Sequence, residues 1–183
     1  NSKTFTSITT GTGNDILIQE EGNSTTTELL ITGNTNEVDS NVEGDSNDTT
    51  FEITGNTNTL LVKADVAADV ANTTNNSDID VTIEGNTNDV TFSMVDTDAA
   101  VNLWSLIGDL NVVNSYQQGQ TGGVGHAQTV ELFGSSNKVD IYQIGTEAHT
   151  LDLQVLGSDN NYTITQTDGT AATYTNPSAV TGN

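Results

Sequence analysis

Gly-x-x-Asn recurs at rung spacing seven times in this chain, at Gly11-Asn14, Gly33-Asn36, Gly55-Asn58, Gly85-Asn88, Gly108-Asn111, Gly134-Asn137 and Gly157-Asn160. The intervals are 22, 22, 30, 23, 26 and 23 residues. A period in this range marks a repeat architecture, in which each unit buries its apolar face by stacking on its neighbours. Gly11, Gly22, Gly33, Gly44 and Gly55 are evenly spaced at half the period, so one period is two half-units, each a strand and a tight arc. The expected fold is an all-β, two-strands-per-rung β-solenoid of about seven rungs of 22–23 residues. At about 4.8 Å per rung, seven rungs reach roughly 34 Å.

The strands following each Gly-x-x-Asn are expected at roughly 14–20, 36–43, 58–64, 88–95, 111–118, 137–144 and 160–167. Their partners are expected near 25–32, 47–54, 77–84, 99–107, 126–133, 148–156 and 171–175. Strand side chains alternate between faces. The positions five, seven and nine after each Gly are β-branched, apolar or amide residues, as in Val38-Ser40-Val42, Leu60-Val62-Ala64 and Val139-Ile141-Gln143, and are read as inward. The partner strands contribute Thr27-Leu29-Ile31, Thr49-Phe51-Ile53, Ile79-Val81-Ile83, Val130-Leu132 and Leu151-Leu153-Val155. The segment Val101–Ile107 is apolar on both faces, and its parity is open. Acids such as Asp15, Glu37, Asp48, Glu52 and Asp140 fall on the outward parity.

Glycine in each arc is expected to supply a positive φ. The Asn three residues later shares the inward parity. It is either a turn residue, whose side chain mimics a backbone turn, or one step of an amide ladder running from rung to rung. Gln117, Gln143 and Gln166 suggest a second ladder in the last three rungs. Two insertions, 65–76 and 120–125, lengthen the period and are expected to bulge as loops. Residues 1–10 are expected to form an N-terminal strand or arm, 11–176 a single solenoid domain, and 177–183 a tail.

These residues resemble curlin repeats, the units of curli-type extracellular fibres. That family's pattern is Ser-x5-Gln-x-Gly-x-x-Asn-x5-Gln. Gly108-x-x-Asn111 with Gln117, Gly134-x-x-Asn137 with Gln143, and Gly157-x-x-Asn160 with Gln166 match its second half. Gln143-Ile144-Gly145 matches the Gln-x-Gly step. The resemblance is best over 108–167. Over 11–95 the Gln position holds Glu20, Val42, Ala64 and Met94. It implies a secreted subunit that polymerises end to end as biofilm matrix or adhesive fibre.

The composition limits the partners. Against 25 acids stand only Lys3, Lys63 and Lys138, for a net charge of −22. Such a surface repels nucleic-acid phosphates and anionic lipids, and no apolar run is long enough for membrane insertion by a helix. The chain has no Cys, so disulfides and thiolate metal sites do not arise. No signal peptide is visible and the first residue is Asn1, which fits a removed leader and an extracellular or cell-surface location.

An enzyme needs converging groups of tuned pKa, whereas the acids here are spread along the rungs, so no catalytic residues and no cofactor are expected. Loosely bound Ca2+ is considered at the acidic columns, with Glu37, Asp39 and Asp89 as candidate ligands. Gly11–Leu17 also resembles a single calcium-binding nonapeptide. His126 and His149 fall at equivalent positions, as a metal or pH-sensitive pair or as members of a polar arc column.

The partner expected is the chain itself, in a head-to-tail homopolymer. Terminal strands expose unpaired backbone groups, and a repeated heterologous contact makes a filament. The expected end-contact residues are Phe5, Ile8, Ile16, Ile18, Tyr162, Ile164 and Tyr174. Two outward columns, Ile107-Phe133-Leu156 and Tyr116-Tyr142, suggest lateral contacts. The alternatives carried are a phage decoration or fibre protein and a non-catalytic surface-binding adhesin module.

Overall fold

The computed structural model describes residues 3–21, 24–43, 47–64, 78–97, 101–119, 127–144, 150–157, 159–167 and 173–175. These form fifteen strands: β1 (Lys3–Thr10), β2 (Gly13–Glu21), β3 (Thr25–Thr32), β4 (Thr35–Glu43), β5 (Asp48–Thr54), β6 (Thr57–Ala64), β7 (Asp78–Glu84), β8 (Thr87–Thr97), β9 (Val101–Ile107), β10 (Leu110–Gly119), β11 (Ala127–Phe133), β12 (Ser136–Ile144), β13 (Thr150–Leu156), β14 (Asp159–Thr167) and β15 (Thr173–Thr175). Odd-numbered strands make an eight-stranded sheet and even-numbered strands a seven-stranded one, each in chain order. Every pairing is parallel. The chain therefore winds as a two-sheet β-solenoid. No helix among the described residues is long and apolar enough to cross a membrane.

Register follows the sequence repeat. Asn14 pairs with Asn36, Asn36 with Asn58, and so on through Asn137 with Asn160, across the longest interval as well as the shortest ones. A slip of one residue would turn every inward side chain to solvent, so the alternation fixes this alignment. The inward positions form one continuous core of Ile, Leu, Val and Phe with Trp104. Phe92 and Trp104 meet edge to face across the two sheets, ring centres 4.7 Å apart.

The open parity of Val101–Ile107 is decided by its neighbours. β9 lies between β7 and β11, with Trp104 aligned on Val81 and Val130. Asn102, Trp104 and Leu106 thus point inward, leaving Leu103 and Ile107 outside. One consequence is a buried Asn102 whose amide oxygen and nitrogen both lack a partner.

The expected positive φ of the arc glycines is not found. None of the seven repeat glycines has a φ in the left-handed region. The reason for glycine is close stacking. A Cβ on Gly55, Gly85, Gly108, Gly134 or Gly157 would fall 1.7–2.0 Å from the carbonyl oxygen of the preceding repeat glycine. Any side chain would force the rungs apart. The one positive-φ non-glycine among the described residues is Ser24, at 61°, in the arc between β2 and β3.

The insertions 65–76 and 120–125, His126, His149 and the tail 177–183 lie outside the described residues.

Candidate functional site: the ladders and the two open ends

The Asn of each repeat is a ladder residue. Asn36, Asn58, Asn88, Asn111 and Asn137 are all buried. Each Nδ2 donates to the Oδ1 of the next rung's Asn, at 2.8–3.1 Å from Asn36 through Asn160 and at 2.9 Å from Asn14 to Asn36. The Nδ2 of Asn36, Asn58, Asn88 and Asn111 also contacts its own repeat glycine's carbonyl and the carbonyl that closes the next rung's odd strand. These contacts satisfy amides that would otherwise be costly to bury.

The ladder has a direction. Every donor points toward the C-terminal end, so its two ends are chemically different. Among the described residues, Asn14 Oδ1 receives no donor at the N-terminal end. At the C-terminal end Asn160 Nδ2 donates, among the described residues, only to its own Gly157 carbonyl, at 3.2 Å. In the arcs one set of backbone bonds runs the same way, while the N–H of Thr35, Thr57, Thr87, Leu110, Ser136 and Asp159 donates the other way, to the preceding rung. The N–H of Gly11, Gly33, Gly55, Gly85, Gly108 and Gly134 donates to the carbonyl closing the next odd strand, at 2.8–2.9 Å. Gly157 has no such partner among the described residues.

The glutamine column is shorter. Gln143 Nε2 donates to Gln117 Oε1 at 2.8 Å, both side chains fully buried. Gln166 continues the register on Gln143. Sequence reading missed a cross-sheet pair, Gln128 Nε2 donating to Ser115 Oγ at 3.1 Å. It was legible as two polar residues at inward parity on successive strands.

Glu20 holds the equivalent position in the first full rung. It is buried, with Thr25 Oγ1 donating to its Oε2 at 3.1 Å and its Oε1 without a partner. Burial raises its carboxyl above the usual range, against opposing hydrogen bonds from Thr27 and Thr25.

The N-terminal end is an open cleft of about 300 Å³, lined by Lys3, Phe5, Leu17, Ile18, Glu20 and Thr27, among others. Phe5 aligns with the buried Thr27 and so points to the core side, yet it is 50 % exposed, because β2 is the edge strand of the even sheet among the described residues. At the other end Tyr162 and Ile164 on β14 are only partly buried against the core. Ile16 is similar at β2. Of the expected end-contact residues, Ile18 belongs to the core cluster and also lines the cleft, and Ile8 points outward and is well exposed. Tyr174 lies on β15, aligned with Leu151.

The two outward columns are present. Ile107, Phe133 and Leu156 align on adjacent strands, as do Tyr116 and Tyr142. Leu103 and Leu110 join them as exposed apolar residues that the outward columns had not included.

The acidic candidates do not converge. Glu37 and Asp89 share a column but are separated by the β6 residue Thr59, and Asp39 lies in another column. Among the described residues no group of three or more His, Asp or Glu side chains could hold a metal ion. The nearest approach of acids with a resolved effect is Asp48, Asp78 and Asp80 on β5 and β7. Burial first, then the charges of Asp80 and Asp48, push the Asp78 carboxyl up. Burial and Asp48 push Asp80 up against a backbone hydrogen bond from Leu103. On the other sheet Lys138 pairs with Asp140 at 2.8 Å. Hydrogen bonds from Lys138 and Thr163 hold that carboxyl below its ordinary value.

Compared with known protein families, curated proteins and solved structures, the chain matches none.

Proposed function

We propose that this protein is a structural subunit that polymerises by end-to-end stacking of its solenoid into an extracellular filament, in the manner of curlin-like fibres. The observation that carries the reading is the complementarity of the two ends. One presents an unfilled acceptor, Asn14 Oδ1, and the other an underused donor, Asn160 Nδ2, at the same register position. Where a single odd strand fills the junction, a second copy placed on the C-terminal end extends the asparagine ladder, the glycine stack and both parallel sheets in the same register. Such a head-to-tail contact is heterologous and does not close on itself, so it propagates.

Gly11 adds support. A Cβ there would meet only its own Asn14 Oδ1, at 3.1 Å, whereas later repeat glycines are blocked by a glycine ahead of them. Within one molecule an alanine at Gly11 requires only a shift of a few tenths of an ångström by the Asn14 side chain, with no backbone in the way. In a stack it would face Gly157 of the copy ahead. The net charge of −22 opposes association, so salt should promote assembly by screening it.

The test is electron microscopy of the purified chain at high and low salt, beside the Gly11→Ala variant. Filaments from the unmodified chain, with a folded Gly11→Ala protein that stays monomeric, are expected. Dispersed monomers of the unmodified chain at high concentration and high salt would sink the reading.

A further inference from the structure

The two sheets do not contain the same number of strands. The odd sheet has eight and the even sheet seven. If two intact copies met end to end, β1 of one would abut β15 of the other. β2 would then sit two strand spacings from β14, about 10 Å away, with an empty slot between them. The asparagine ladder would break there, and Phe5 would stay uncovered. One strand of the odd sheet is therefore in excess at every junction.

The two strands that compete for that slot are unequal. β1 pairs with β3 over all eight of its residues, Lys3–Thr10. β15 pairs with β13 over three, Thr173–Thr175 opposite Thr150–Asp152. The register of β1 also suits the slot. Phe5 stands six residues before Gly11, as Leu151 stands six before Gly157, so Gly11 meets Gly157 when Phe5 meets Leu151.

We propose that assembly is a strand replacement, in which β1 of each incoming copy displaces β15 from the edge of β13 in the copy ahead. This rests on the end-to-end reading above. With β1 in the slot, β2 lies directly on β14. Asn160 Nδ2 then reaches both Asn14 Oδ1 and the Thr10 carbonyl of the incoming copy, as Asn14 reaches Asn36 Oδ1 and the Thr32 carbonyl within one chain. The Gly157 N–H gains the same Thr10 carbonyl. Phe5 is covered by the β14 face carrying Tyr162 and Ile164. Until then β15 acts as a short plug on the growing edge, which slows association in the free monomer.

Two measurements test this. Filaments of the unmodified chain are expected to have an axial repeat of about 34 Å, seven strand spacings, because both sheets then advance by seven. If β15 is retained the repeat lengthens to eight spacings, about 38 Å. The chain has no native Cys, so engineered pairs report register directly. In the replaced arrangement Ile8 lies opposite Gln154 and Leu17 opposite Thr163 of the copy ahead, all on outward faces. I8C/Q154C and L17C/T163C filaments should each give disulfide-linked multimers on oxidation, since adjacent strands fall within the roughly 4.4–6.8 Å Cα separation a disulfide spans. Filaments with the longer, eight-spacing repeat, or folded cysteine variants that form filaments without cross-links, overturn strand replacement and leave the filament standing. Absence of filaments overturns both.

Discussion

A residue in the middle of this solenoid and its counterpart in the first rung do the same thing in sequence and different things in space. Gly85 and Gly11 open identical Gly-x-x-Asn units. Yet a Cβ at Gly85 would strike the Gly55 carbonyl at 1.9 Å, while at Gly11 it meets only a side-chain oxygen at 3.1 Å. Asn88 is bonded on both sides, to Asn58 and Asn111, whereas Asn14 and Asn160 are each bonded on one. Val62 fills its inward position with an apolar side chain, whereas Glu20, two positions further along its own rung, buries a carboxylate with one oxygen unsatisfied. In a stacked protein the value of a residue lies in its neighbours along the axis. The ends hold the same chemistry with half the partners.

Substitutions can break or sharpen that contrast. The largest effect is expected from Gly85→Ala, where the clash is with backbone that cannot move away. Forced separation of the rungs should cost on the order of 3 kcal/mol or more, while Gly11→Ala should stay within about 0.5 kcal/mol. Urea unfolding of the two variants side by side measures the difference. Next comes Asn88→Ala, which strands the Asn58 donor and the Asn111 acceptor. At about 1–3 kcal/mol per unsatisfied buried group, a loss of about 2–4 kcal/mol is expected. Asn160→Ala ends the ladder one step early and should cost only about 0.5–1.5 kcal/mol. Equal losses for the two would mean that the ladder does not act through its neighbours.

Asn102 is the exception within the middle, since it is buried but joins no ladder. Its column neighbours are Ile79 and Gln128. Asn102→Val removes two unsatisfied polar atoms, and a gain of about 1 kcal/mol is expected in the same unfolding assay. A loss would show that the amide has partners the column does not supply.

The smallest effect, and the one visible mainly through pH, belongs to Glu20→Gln. The folded carboxyl titrates above its ordinary 4.5 because burial disfavours the charge. A raised carboxyl pKa gives stability that is full below the unfolded value and lost as pH rises through the folded one. The unmodified protein should therefore gain from acidification through this window, and Asp78 and Asp80 act in the same direction. Glu20→Gln should be the more stable protein at pH 7, with the advantage shrinking toward pH 4. Unfolding curves at both pH values check it, and a constant difference would remove Glu20 from the pH response.

Much of this was legible in the chain because a solenoid maps sequence period directly onto axial neighbours. The Gly-x-x-Asn spacing gave the register, and period-two alternation gave the two faces, including inward Ser40 and Ser115. Asparagine at inward parity pointed to a ladder, although a turn role remained open until the bonds from Asn36 to Asn58 and onward were seen. Glycine was read for the wrong reason. Conformational freedom is a property of one residue and can be guessed from its type, whereas the close approach of Gly55 to the Gly33 carbonyl belongs to two rungs at once.

The sequence by itself determined the rung, the alignment of rungs and the identity of the ladder residues, since each follows from periodicity and local sterics. Only the tertiary structure decided the parity of Val101–Ile107 and the direction of the asparagine ladder. Parity was set by packing against β7 and β11, because both faces of that strand are apolar. Ladder direction depends on which way every amide turns together. These are relations between distant segments, and no local pattern of residues encodes them.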